Sequence, residues 1–157
     1  MSALPTAARI DTILAAKADG QDQLLPTLHA IQDAHGFIPP ESVAQIALAF
    51  NLSRAEVHGV LTFYHHFRST APARHVVQLC RAEACQSMGA DALLAHAERV
   101  LGCRLDAHSA DGRFGLEPVY CLGQCATAPA MMVDGAVHAR VGAARFDRIM
   151  AKLGQAA

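Results

Sequence analysis

Cysteine is the residue type whose spacing in this chain could do chemistry. Cys80 and Cys85 form a C-x4-C pair (CRAEAC), and Cys121 and Cys125 form a C-x3-C pair (CLGQC). Thiolates are soft ligands that suit zinc and iron–sulfur clusters. Four of them brought together can hold a two-iron [2Fe–2S] cluster, each pair serving one iron. A structural zinc site with four thiolate ligands is the main competing reading. Zinc modules favour C-x2-C knuckles on both sides, however, and neither pair has that spacing. A thiol–disulfide oxidoreductase would show C-x-x-C, and a Rieske centre would show Cys-x-His; the chain contains neither. The total of five cysteines is odd, which does not suit a disulfide framework. The fifth, Cys103, follows Gly102 outside both pairs and reads as a buried thiol.

The neighbours of the pairs suggest how a negatively charged cluster could be tolerated. Gln86 to Gly89 lead into a helix, so free N–H groups and a positive dipole end are expected beside Cys85. Gly123 is expected to let the second loop approach the sulfurs and present N–H donors. Arg81 is a nearby cation that could equally be a solvated surface residue. Met131 and Met132 alternate in a strand, so one is expected in the core. His65 and His66 are adjacent on a helix and face different directions, which makes joint chelation of one ion difficult. Packing or partner contact is the better reading of Tyr64 to Phe67.

Each cysteine pair begins where an expected strand ends. His75 to Leu79 (HVVQL) reads as a buried strand running into Cys80, and Phe114 to Tyr120 as a weaker strand running into Cys121. Both loops can then lie at one edge of a sheet. Ala90, Leu93, Leu94, Ala97, Val100 and Leu101 mark a helix ending at Gly102. Met131 to Ala139 reads as a β-hairpin with an Asp134-Gly135 turn. Phe146, Ile149, Met150 and Leu153 mark a closing helix. The order β-α-β-β-β-α fits a thioredoxin-like α/β domain over 75–157.

Residues 1–70 have a different grammar and read as a small helical bundle. Ile10, Ile13, Leu14 and Lys17 suggest a first helix stopped at Gly20. Leu24, Leu25, Leu28 and Ile31 share one face of a second that ends at His35-Gly36, with Pro26 in its first turn. A third starts at Pro40-Glu41, buries Val43, Ile46, Ala47 and Phe50, and stops at Asn51. The fourth opens with the capping box Ser53-Arg54-Ala55-Glu56 and continues with Val57, Val60, Leu61 and Tyr64 at helical spacing. Phe37, Phe63, Tyr64 and Phe67 are more apolar surface than such short helices need, which marks an interface. Ser69 to Ala73 is the linker candidate. The expected fold class is therefore α+β, a helical bundle followed by the thioredoxin-like domain with the cysteines.

The 157 residues carry a net charge of −1 and no basic surplus, against a free-standing nucleic-acid binder. Residues 46 to 64 also resemble a helix-turn-helix, but Arg54 is the single cation at the start of its second helix. Apolar runs are too short to span a bilayer, and no signal peptide is evident, so a cytoplasmic location without membrane insertion is expected. A zinc-stapled interaction protein and a helix-turn-helix regulator are the competing functions from other classes.

CRAEACQSMG followed by VYCLGQCATAPAMMVDG resembles the thioredoxin-like [2Fe–2S] ferredoxin family, which includes the 24-kDa-type subunit of respiratory NADH dehydrogenase and small subunits of NAD-linked hydrogenases. LLPTLHAIQDAHGFIP through VHGVLTFYHHFR resembles the bundle that precedes the cluster domain in those proteins. Within the family, CRAEACQSMG and APAMMVDGAVHARV look most similar to gamma subunits of NAD-dependent formate dehydrogenases. The resemblance implies one [2Fe–2S] cluster on Cys80, Cys85, Cys121 and Cys125. It also implies a non-catalytic electron-transfer subunit that exchanges single electrons with the FMN of a flavin- and NAD-binding partner subunit.

Overall fold

The computed structural model describes residues 6–17 and 20–155. The chain divides into two compact units, one up to Pro72 and one from Ala73 onward.

In the first unit the helices are α1 (Thr6–Lys17), α2 (Leu24–His35), α3 (Val43–Ala49) and α4 (Arg54–Phe63). Their boundaries follow local chemistry. Gly36 closes α2 in the left-handed conformation at φ 83°, and its N–H donates to the Gln32 carbonyl. Asn51 takes φ 51° after α3. The α4 capping box is complete: Glu56 N–H donates to Ser53 Oγ, and Ser53 N–H to the Glu56 carboxylate. Ile10, Leu28, Ile31, Ile46 and Val57 are almost fully buried at the centre. Three expectations need correction. A 3-10 turn, Pro40–Ser42, precedes α3 and leaves Val43 half-buried. Tyr64 lies past the end of α4 with an extended backbone and is 42% exposed, because the helix does not last long enough to bury it. Phe67 is not surplus surface but part of the bundle core.

The second unit is built on a sheet of order β2-β3-β1-β4-β5. Its strands are β1 (His75–Cys80), β2 (Ala107–His108), β3 (Phe114–Val119), β4 (Met131–Val133) and β5 (Ala136–His138). The strand β2 was not expected. At two residues it is too short to show a period, and it pairs antiparallel with β3. Strands β1 and β3 are parallel, with His75 opposite Phe114 and Cys80 opposite Val119. Helices α5 (Glu83–Ser87) and α6 (Ala90–Leu101) connect them, the crossover that a parallel pair needs. The β4–β5 hairpin turns at Asp134 and Gly135, both with positive φ (49° and 83°), as a tight two-residue turn requires. Leu93, Ala97 and Leu101 of α6 meet Val77, Leu79, Leu116 and Met131 of the sheet. Helix α7 (Ala143–Gln155) adds Phe146, whose complete burial contributes about 1.5–3 kcal/mol. Val100 projects outward and is 47% exposed, contrary to its expected place on the apolar face of α6.

Candidate metal centre

The parallel register brings the cysteines together. Cys80 ends β1 beside Val119 at the end of β3, so both loops leave the same edge of the sheet. Arg81 N–H donates to the Val119 carbonyl at 2.8 Å, and Cys80 N–H to the Ala130 carbonyl at 3.1 Å. The chain from Cys80 to Arg81 is thus clamped from both sides.

Cys85 sits inside the short helix α5, not ahead of a longer one. The expected free N–H groups at Gln86 to Gly89 are spent locally: Gln86 donates to Ala82, Met88 to Cys85 and Gly89 to Gln86. Five residues are too few for periodicity to reveal such a helix. Gln86 Nε2 donates to the Arg81 carbonyl at 2.8 Å, and the Arg81 guanidinium pairs with Asp91 of α6 at 2.9 Å. Arg81 therefore braces the first loop against α6 and is not a solvated side chain. Cys80 and Cys85 are 3% and 2% exposed and pack with Ala90 and Ala130.

The second loop is built differently. Cys121 adopts φ 83° and Gly123 φ 74°, so the chain turns through the left-handed region twice in three residues. A Cβ at Gly123 would meet nothing within 4 Å. It is φ that requires glycine there, and the loop does reach a sulfur, since the N–H groups of Cys121 and Leu122 donate to Cys80. Gln124 leads into a 3-10 turn, Cys125–Thr127, and the Ala128–Pro129 peptide is cis. Cys121 and Cys125 are exposed, with their Sγ atoms 3.8 Å apart.

The sulfur donors are mostly backbone groups. Burial pushes the Cys80 thiol up, but N–H groups of Ala82, Cys121 and Leu122 and the Cys85 thiol donate to it and bring it below the ordinary thiol value. Cys85 lies above that value because it is buried and donates to Cys80, partly offset by the N–H of Ala130. Cys125 is raised by its hydrogen bond to Cys121 and by that neighbour's charge. Cys80 is thus held on the thiolate side by donors from both loops, Ala82 first, then Cys85, Cys121 and Leu122. Sequence could not name Leu122 or Ala130, because a backbone N–H leaves no trace in residue type. Gly123 was the one visible sign of the loop's shape.

Other candidates stay apart. Cys103 is buried in the core of the sheet unit, its thiol raised by burial and then by Glu98 and Asp111. Met131 is in the core, as one of the methionine pair was expected to be, and Met132 is half-buried. His65 and His66 are exposed, and His66 stacks on His29 at 5.3 Å. Among the described residues no three His, Cys, Asp or Glu side chains converge as if on one ion. The cysteines come instead as two couples. Two thiolates at ~2.3 Å from one tetrahedral metal lie about 3.8 Å apart, the separation that Cys121 and Cys125 have. That spacing fits one tetrahedral metal held by Cys121 and Cys125.

Residues 10–154 match the family of thioredoxin-like [2Fe–2S] ferredoxins, and the chain belongs to it. Its cofactor is a [2Fe–2S] cluster. The second E-type subunit of NADH-quinone oxidoreductase from Rhizobium meliloti is 34% identical over 141 residues, covering 90% of this chain and 84% of the relative. The E-type subunit from Aquifex aeolicus is 38% identical over 111 residues, 71% of this chain and 69% of the relative. The HndA subunit of the NADP-reducing hydrogenase of Solidesulfovibrio fructosivorans is 29% identical over 132 residues, 84% and 77%. Among solved structures, NAD+-reducing [NiFe]-hydrogenase in the air-oxidized state matches with a TM-score of 0.72 and 28% identity. That match covers 84% of this chain but only 23% of the hydrogenase chain. Among the described residues no helix is long and apolar enough to cross a membrane.

Proposed function

We propose that this chain is an electron-transfer subunit that passes single electrons between its cluster and the flavin of an NAD-binding partner subunit. In this reading Cys80 and Cys85 hold one iron, and Cys121 and Cys125 hold the other. The observation that carries it is the joining of a buried thiol couple to an exposed one at a single edge of the sheet. When bound, the cluster supplies one-electron chemistry. The chain's own residues exclude water from Cys80 and Cys85, aim N–H groups at Cys80, and leave Cys121 and Cys125 open to a partner. No acid, base or substrate pocket is required of such a subunit.

The parent complex can be read more finely. The formate dehydrogenase gamma reading rests on local similarity around the cysteines. The relatives favour the alternative, the equivalent subunit of an NADH-quinone oxidoreductase or an NAD(P)-linked hydrogenase. We adopt that alternative. The first unit is proposed as a docking element for the partner. It presents Leu48, Phe63 and Tyr64 to solvent (83%, 73% and 42% exposed) and a groove of about 430 Å³ lined by Ile38, Val43 and Leu61.

Anaerobic purification with optical and EPR spectroscopy tests the cluster, and co-expression with candidate flavin subunits tests the partner. The expected result is thiolate-to-iron absorption, a one-electron reducible signal and retention of a flavoprotein. A colourless protein with one zinc overturns the reading. A chain starting at Ala73 is expected to keep the spectrum and associate less well. If it binds and accepts electrons like the full chain, the first unit has another role.

A further inference from the structure

The second unit has a cationic groove along its edge strand β5, on the far side of β4 from the cysteine-bearing β1. It lies between β5 and α7, encloses about 630 Å³, and takes Arg145, Arg148 and Lys152 from the helix. These three follow i, i+3, i+7 spacing, so they share one face and each repels the next. Among the described residues none of them has a carboxylate partner, in a chain whose net charge is −1. Asp134, at the rim, is already engaged by His75 at 2.7 Å and by the N–H of Val76 at 2.9 Å. His138 adds a further titratable nitrogen, and half-buried Ile149 and Leu153 supply an apolar floor.

The other wall is a strand with an open side. Among the described residues β5 pairs with β4 alone, at the edge of the sheet. In the register set by the two-residue turn, Val137 faces Met132 at a position that does not bond across the pair. Its N–H and C=O therefore point outward, available to another backbone. An open edge beside an apolar floor and a row of cations matches an extended segment with acidic and apolar side chains in alternation. A small anion would use the cations but neither the edge nor the floor, and among the described residues no Phe, Tyr or Trp lines the groove to stack a base.

We infer that the groove between β5 and α7 docks an extended acidic segment of the partner subunit, a second attachment along the edge strand, two strands over from the one that ends at Cys80. The inference rests on the reading of this chain as a subunit with a flavin-binding partner. Strand β4 lies between the groove's strand and β1, and among the described residues none that lines the groove donates to a cysteine sulfur. Changes in the groove should therefore leave the cluster spectrum alone.

The test uses the full cluster-loaded chain and the co-expressed flavin- and NAD-binding subunit, with affinity measured at low and high salt. The triple variant Arg145→Gln, Arg148→Gln, Lys152→Gln keeps good helix formers on an exposed face. It is expected to bind roughly tenfold or more weakly at low salt and to lose most of the salt dependence, with unchanged absorption and circular dichroism. Arg145→Lys with Arg148→Lys keeps the charges and should retain most of the affinity. Unchanged affinity and salt response in the neutral variant overturn the inference, while wild-type association upholds the functional reading. Failure of the wild-type chain to bind any flavin subunit removes both. Inorganic phosphate or pyrophosphate that binds the groove without competing with the partner also overturns it, because the site then belongs to a free anion.

Discussion

The two cysteine loops leave neighbouring parallel strands at one edge of the sheet, yet they are built on opposite plans. The first is short helix, ion pair and burial: Cys85 lies within α5, Arg81 reaches Asp91, and both thiols are shut away from solvent. The second is irregular and open, with two left-handed residues and both thiols exposed. The difference teaches a division of labour. In the proposed reading the buried loop fixes where the cluster sits, and the exposed loop gives a partner access to it. The exposed loop also donates inward, since the N–H groups of Cys121 and Leu122 reach the buried Cys80 sulfur. That sulfur therefore takes donors from both loops, Ala82 from the first and Cys121 and Leu122 from the second.

The sharpest way to break this contrast is to remove one ligand at a time. Cys80→Ser or Cys85→Ser is expected to abolish the cluster, because the remaining thiol is buried and water cannot replace the lost sulfur. Cys121→Ser or Cys125→Ser should leave a substoichiometric, labile cluster, since solvent or the serine oxygen can complete the exposed site. Cys103→Ser should retain full iron and sulfide. Metal and sulfide analysis of the five variants checks this; loss of the cluster in Cys103→Ser means the ligands are misassigned.

A smaller effect isolates backbone shape. Gly123→Val forces a β-branched residue to φ 74°, at a cost of about 1–2 kcal/mol for an L-residue in the left-handed region. The second loop should relax, and the amides aimed at Cys80 with it. Potentiometry is expected to show a shifted midpoint or reduced occupancy, with the helical unit unchanged. Since nothing crowds the position, Gly123→Asn should be nearly silent; an equal effect from Asn would mean that side-chain space, not φ, governs it.

The brace on the first loop should count for less. Asp91→Asn breaks an ion pair whose carboxylate side chain is 71% exposed, and such pairs contribute about 0–1 kcal/mol. A slightly lower melting temperature with normal iron content is expected. A large loss of cluster would show that the rigidity of the first loop resides in this contact and not in α5.

The smallest expected effect on the cluster is a control remote in sequence from both loops. Ser53→Ala removes the α4 cap and should lower the melting temperature modestly without touching the spectrum. The Ser53 backbone and side chain hold the Glu56 carboxyl below its ordinary value. A depressed carboxyl contributes stability above its unfolded pKa and loses it as pH falls through the folded one. Glu56→Gln should therefore destabilise near neutral pH, and the difference from wild type should fade on acidification.

These contrasts also mark what the sequence could tell. Signals carried by residue type were legible: the Ser53–Glu56 box, the left-handed stops at Gly36 and Asn51, the Asp134-Gly135 turn and the strand entering Cys80 all stand where the local chemistry put them. The cysteine couples were legible because metal chemistry is tied to thiols. Features carried by the backbone were not. Helix α5 and strand β2 are too short for a repeat of any pattern to show, and the donors at Leu122 and Ala130 could come from almost any residue. Phe67 was misjudged because its burial depends on how the chain turns after α4, which no helical repeat records.

The parallel pairing of β1 with β3 also bears on how the protein is made. A hairpin could bring its two ends together by local search, but this pair closes only after the whole crossover of α5 and α6 is in place. Loop closure of that length makes the pairing slow. A newly synthesised chain must then present its first thiol couple long before the second exists beside it. Cluster insertion is expected to follow formation of the sheet, not to nucleate it. In refolding with iron and sulfide present, recovery of cluster absorption should lag behind recovery of secondary structure by the time the parallel strands take to find one another.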